Sequence, residues 1–333
     1  MGAGTARGGA CLLISGKERK NMEFVVFAGV LLLLFIFMIV QELIQTKNQE
    51  KLFKKYLREN YGKEPPKEYS LERFARLGSY LERHKEEKQL DDITWNDLGM
   101  DEVFRRIDRT YSAAGEEYLY YTLRNISCGR EAMEHLEEVV NWLQEQENIK
   151  VRIQLLMKRL GHLGKYSLYD YLDNLDYLRE RSNRKIVLGN LLYLPFLLLL
   201  FVQPAMGTIG IVLCMLWHIM TYFREKKVIE PYIISFAYVL RLIDVCEELE
   251  KQKIPVYRRE LDELREVLKS LRELRRGSYW VMAGNQGKIG GNPLDILADY
   301  LRMILHLDIF QFNRMLEKLR KKTGQVETIL AIT

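Results

Sequence analysis

The chain has 333 residues, a formal net charge of +5, 48% hydrophobic and 29% charged residues, so it holds either two soluble domains or one domain plus membrane segments. The charge is too modest to indicate nucleic acid by itself. Its four cysteines (Cys11, Cys128, Cys214, Cys246) are scattered without a CxxC pair, which implies neither a disulfide framework nor a zinc site.

Residues 1–21 read as a leader outside the natural chain. Gly16–Lys20 can be encoded entirely in purines just upstream of Met22, as a translated ribosome-binding site would be. Translation is expected to begin at Met22. Residues 22–45 then form a first membrane helix, because Phe24–Val40 is an unbroken run of 17 apolar or small residues. A cleaved signal peptide is the other reading, but no small-residue cleavage site follows the run.

Residues 46–185 read as helical. Val103, Phe104 and Ile107, then Leu136, Val139, Val140 and Leu143, then Leu168, Tyr171, Leu172, Leu175 and Leu178 recur at three-to-four spacing. Residues 186–223 carry two more apolar runs, Ile186–Val202 and Ala205–Phe223, separated by Gln203-Pro204. That break predicts a transmembrane hairpin; a pair of buried core helices is the alternative. Arg179, Arg181, Arg184 and Lys185 precede the hairpin and Arg224, Lys226 and Lys227 follow it, while its tip is uncharged. Both ends are therefore expected in the cytoplasm, and the first helix runs from outside to inside. The localisation is a cell membrane, multi-pass, with the bulk of the chain cytoplasmic. His218 lies inside the third run, either as a functional group or as a residue seeking the interface.

Residues 224–333 form a second helical cytoplasmic region. Ile233, Phe236, Leu240, Ile243 and Leu249 predict a long helix ending before Pro255. Leu261, Leu264, Leu268 and Leu271 form a coiled-coil-like seam. Arg258, Arg265, Lys269, Arg272 and Arg276 fall on one face beside it. This face is either a solvated surface or a stripe that tracks DNA phosphates.

The glycine-rich stretch Gly284–Pro293 lacks the P-loop pattern, since Ile289 follows Gly287-Lys288 and Met282 stands where the first glycine belongs. Asn292 and Pro293 instead suit a helix start. The helix they open is expected to run through Ile296, Tyr300, Ile304, Phe312 and Leu319, with Asp308 the one polar residue on its stripe. No HExxH, GxSxG or Cys/His spacing is present. The chain is read as not an enzyme, with no catalytic, cofactor or metal residues.

One stretch carries more specific information. In Ile107–Asn125, "IDRTYSAAGEEYLYYTLRN", the residues Asp108, Arg109, Thr110, Ser112, Gly115, Leu119, Leu123 and Arg124 resemble the core-domain signature of MutS DNA mismatch-repair proteins. The likeness covers about residues 90–165 well and 225–333 more loosely, and is closest to a membrane-bound branch. It implies an all-α core (lever) bundle with an N-terminal membrane helix and an inserted membrane hairpin. Physically the signature suits a helix–turn–helix corner: Thr110 and Ser112 as caps, Gly115 for close helix approach, Leu119 and Leu123 buried. The resemblance also implies binding of mismatched or branched DNA and an ATP- and Mg-dependent clamp. The ATPase domain that would hold ATP and Mg is expected beyond residue 333. Implied partners are DNA, the membrane, and either a second copy or a separate ATPase-bearing MutS-like chain. The alternative is a membrane-anchored helical scaffold that does not touch DNA.

Overall fold

The structure is a computed structural model that describes residues 33, 36–41, 43–64, 69, 71–86, 88–125, 129–163, 167–178, 181–252, 254–275 and 293–332. The expected leader, most of the first apolar run, Cys11, Cys128, Arg179, Arg276 and the glycine-rich loop up to Asn292 lie outside these residues. Among the described residues there is no strand; Gln89 and Asn125 form an isolated bridge. The chain is all-α.

The first helix, α1, is continuous over 43–59. Next come α2 (Leu71–Arg83), α3 (Asp92–Asp97), α4 (Met100–Ile107) and α5 (Ala113–Arg124). Here α2 packs along α5, and Leu77, Trp95, Phe104 and Tyr120 make a small core of their own. Of the apolar residues expected to line α4, Phe104 is fully buried and Val103 and Ile107 are exposed. α6 (Arg130–Glu145) likewise buries Val139 and leaves Leu136 and Val140 exposed. α7 (Glu147–Leu160) and α8 (Leu168–Asp173) bring Leu156, Leu160, Leu168 and Leu172 into the main core.

α9 (Arg184–Leu191) and α10 (Tyr193–Val202) climb to a break at Gln203, and α11 (Pro204–Glu250) returns from it. Two helical stretches, Arg184–Val202 and Pro204–Glu250, are long and apolar enough to cross a membrane. Only 6% of the first is buried, and Leu198, Phe201, Leu213 and Met220 are all open to the outside. A soluble core helix would hide these side chains. Along α11, Gly207, Gly210, Cys214, His218 and Tyr222 form one buried face. Gly207 is needed for the tight hairpin, because a Cβ there would sit 2.7 Å from the backbone nitrogen of Leu200.

The sequence suggested two helices after Pro204, one apolar and one in the core. They are a single helix of 47 residues, about 70 Å long at 1.5 Å per residue. Pro231 lies inside it and removes one backbone donor, a cost of about 3 kcal/mol in an isolated helix. Burial of Ile229, Ile233 and Phe236 around it offsets this, at roughly 1.5–3 kcal/mol for each side chain.

The inner half of α11 is the spine of the core. α12 (Arg258–Arg275) sets Leu264, Leu268 and Leu271 against it, as the leucine spacing predicts, and adds Leu274, while Leu261 is only partly buried. The expected single C-terminal helix is three: α13 (Pro293–Leu305), α14 (Leu307–Arg320) and α15 (Thr323–Ile332). The first break falls at His306, whose φ of 55° is left-handed and ends the helical path. Asp308 is buried because it accepts a hydrogen bond from the Tyr222 hydroxyl at 2.8 Å and faces Lys226 at 3.8 Å.

Candidate functional site

The signature residues converge on one corner, the turn between α4 and α5. Asp108 ends α4 and is fully buried. Its Oδ1 accepts from the backbone N–H of Thr110 at 2.8 Å and from the Thr110 hydroxyl at 2.6 Å; its other oxygen accepts from the Tyr69 hydroxyl. Thr110 therefore braces the turn and does not cap a helix. Ser112 is the cap: its Oγ accepts from the Gly115 N–H at 3.1 Å. A Cβ on Gly115 would lie 3.1 Å from that Oγ and 3.3 Å from Thr110 Cβ. The close approach that Gly115 permits is to its own turn, not to a neighbouring helix.

The remaining signature residues are packing groups. Arg109 donates to the carbonyl of Asn60 at 2.8 Å. Arg124 is buried, lies over the rings of Trp95 and Tyr120, and donates to the Leu90 carbonyl at 3.1 Å and Asp92 at 2.7 Å. Leu119 and Leu123 are half-buried against the small aromatic core.

The chemistry of the corner belongs to two residues that the signature did not single out. Glu116 and Glu117 are adjacent and both buried. Glu116 receives Arg73, Arg76 at 2.6 Å and His162 at 3.5 Å. Burial raises its pKa, but the hydrogen bonds and charges of His162 and Arg73 outweigh that and bring it down to about 2. Glu117 meets no charge so directly; Ser167 donates to it at 3.0 Å. Burial dominates and pushes it up to about 8, against the pull of Ser167 and Arg76. One glutamate is thus held charged and its neighbour neutral at pH 7.

Such a pair can serve as acid and base in an active site. Here its partners come from α2, the end of α7 and the start of α8. Arg76 also donates to the Leu163 carbonyl at 3.1 Å, tying the same network to the chain after α7. The arrangement clamps three helices. A sequence cue did exist: in α5 both glutamates lie within a turn of the buried Ala113 and Tyr120, where a solvated pair has no place.

The basic face of α12 was the other candidate. Arg265 pairs with Glu250 at 2.7 Å and Asp262 at 3.2 Å, Lys269 with Glu266 at 2.6 Å, and Arg272 with Glu247 at 3.7 Å. Arg275, which the spacing did not select, meets Asp244 at 3.1 Å and also Glu247. A groove of about 430 Å³ lined by Glu247, Glu250, Lys251, Arg272 and Arg275 runs between α11 and α12. Its mixed charges form no positive track. Arg258 opens α12, and Arg276 lies outside the described residues.

His218 does not face outward. It is buried at the hairpin base against Gly189, Tyr193, Trp217 and His306, with Nδ1 2.8 Å from the carbonyl oxygen of Ile304. Among the described residues no three His, Cys, Asp or Glu are grouped to hold a metal ion. No protein-family model, no curated protein and no solved structure matches the chain.

Proposed function

We propose that this chain is a membrane-anchored helical lever of the MutS-related kind, working with a second copy or with a separate ATPase-bearing partner. The observation that carries the reading is the continuity of α11, one helix from the apolar hairpin to the centre of the soluble core. A helix of about 70 Å held by packing along half its length moves as a unit. A displacement at the hairpin is therefore carried along α11 to α12 and α15, which pack on its inner half. The likeness of Asp108–Arg124 to the MutS signature supports the same reading, because those residues brace a corner and leave catalysis to another domain. ATP and Mg belong to that partner domain.

Family likeness implies that mismatched or branched DNA is bound. One observation favours the second reading, a scaffold with no DNA contact: Arg265, Lys269 and Arg272 are already met by carboxylates. Phosphate would have to displace these partners, which lowers the gain from counterion release.

Two measurements test the proposal. In sealed vesicles, cysteines introduced as Gln203→Cys and Lys226→Cys should react with an impermeant thiol reagent from opposite sides. Labelling of both from one side would end the spanning reading. In bilayer discs, binding to mismatched, branched and fully paired DNA is then followed against salt. A steep salt slope, reduced by Arg265→Ala, Lys269→Ala and Arg272→Ala, supports the DNA-binding reading, and no salt-dependent binding to any of the three selects the scaffold.

A further inference from the structure

The base of the hairpin holds two histidines from segments 88 residues apart in the chain, and both are shut away from solvent: His218 is 1% and His306 5% exposed. Their ring centroids are 5.1 Å apart. Hydrogen bonding fixes the proton position on each ring. The carbonyl oxygen of Ile304, 2.8 Å from His218 Nδ1, can only accept, so Nδ1 carries the proton and Nε2 is a bare lone pair. The Thr221 hydroxyl gives its hydrogen to the Trp217 and His218 carbonyls, so at 3.4 Å it accepts from His306 Nε2. That leaves His306 Nδ1 as a second bare lone pair. Among the described residues neither His218 Nε2 nor His306 Nδ1 has a hydrogen-bond partner, and the nearby Asn190 Oδ1 and Tyr193 hydroxyl have none either.

This pair sits in a joint. Asn190 donates to the Leu305 carbonyl at 3.1 Å and Asn183 to the Phe310 carbonyl at 2.9 Å, so α9 and α11 grip the α13–α14 bend through polar contacts. The bend itself is strained, since His306 is the one non-glycine with positive φ among the described residues. Buried bare imidazole nitrogens in a strained joint are a place where a proton can act.

We propose that His306, packed against His218, is a proton-binding group that controls docking of α13 and α14 on the hairpin base: docked while its ring is neutral, released when its Nδ1 takes up a proton. The proton adds to an imidazole lone pair and makes an imidazolium; no other bond changes. The surrounding groups favour the neutral docked state. Tyr193 faces the pair from α10, and Cys214 lies beside it on α11. Tyr222 on α11 is engaged with Asp308 on α14 and with Lys226, while Glu225 is tied to Arg181 and Arg302 on α13 to Asp299. Among the described residues no carboxylate is hydrogen-bonded to either ring to hold an added charge. Burial and the neighbouring His218 both lower the pKa of His306, with smaller opposing effects from the Ile304 carbonyl, Asp308 and Glu225.

The sign follows. In the undocked state His306 titrates near the ordinary histidine value of about 6.5 and in the docked state lower, so docking is complete above that value and is lost as pH falls. From about pH 7.5 to about pH 5.5 the loss reaches up to about tenfold. The site depends on the hairpin base alone, and not on DNA binding, on a partner or on the membrane reading.

The test is hydrogen exchange of residues 307–320 in the full chain in detergent with a chelator present, corrected for intrinsic exchange rates. Protection should fall by up to about tenfold between those pH values. It should stay flat in His306→Asn, asparagine being tolerated in the left-handed conformation, and fall less than in the unaltered chain in His218→Gln, which removes the neighbouring ring that lowers the pKa of His306. Flat protection in the unaltered chain overturns the proposal, as does an undiminished loss in either variant. If His306→Asn fails to dock at the higher pH, His218→Gln alone decides. Protection at the higher pH that rises when zinc replaces the chelator would make this a metal site and would also overturn the proposal.

Discussion

The α4–α5 corner and the α12 face carry the same kinds of charged residue in opposite settings. At the corner, Arg73, Arg76 and His162 meet Glu116 where its side chain has no exposure at all. On α12, Arg265, Lys269 and Arg272 meet carboxylates with their own side chains about half exposed. Water decides what each pairing is worth. In the buried cluster, losing one partner strands a charge that cannot be rehydrated. On the surface, water replaces the partner at almost no cost. The corner therefore holds three helices together, and the α12 face is a solvated skin over a leucine seam.

The largest expected effect tests the buried side of this contrast. Arg76→Met should strip Glu116 of its 2.6 Å partner and destabilise the chain by about 3–5 kcal/mol, read as a lowered midpoint of thermal unfolding by circular dichroism. A loss no greater than that of an α12 variant would abolish the distinction between the two regions.

Next comes pH. The folded chain keeps the proton on Glu117 up to about pH 8, whereas the unfolded chain releases it near 4.5. The stability that Glu117 provides is thus complete below about 4.5 and lost as pH rises to 8. Glu116, held at about 2, contributes the reverse: its stabilisation is complete above 4.5 and is lost as pH falls toward 2. Glu117→Gln should remove the alkaline loss and stabilise the chain at pH 9 by roughly 5 kcal/mol. Unfolding midpoints across pH 4–9 that run parallel in the two proteins would show that Glu117 is not buried as a neutral acid.

A smaller effect is expected from Arg124→Lys. It keeps the charge but loses the planar contacts with Trp95 and Tyr120 and part of the hydrogen-bond fork, at about 1–2 kcal/mol. An unchanged denaturation midpoint would reduce Arg124 to a point charge.

Smallest of all is the α12 face. Arg265→Ala, Lys269→Ala and Arg272→Ala together should leave the melting midpoint within the spread of repeat measurements, and added salt should erase any difference. A salt-resistant loss would show that these pairs are structural after all.

Much of this architecture could be read along the chain. The three-to-four spacing predicted α12 with its leucine seam, the Gln203-Pro204 break predicted the hairpin, and Ser112 stands where a helix cap belongs. These features depend on residues within a turn or two of each other, and helical periodicity is a local property. The two glutamates inside the signature were passed over because their partners are remote: Arg76 is 40 residues from Glu116, and Ser167 is 50 from Glu117. The same holds for the fusion of two expected helices into α11 and for the break at His306, which rings from α11 surround. Sequence by itself determined which segments are helical and which are apolar enough for a membrane. Tertiary structure decided which charges lose their water, since desolvation depends on every segment that closes over a side chain.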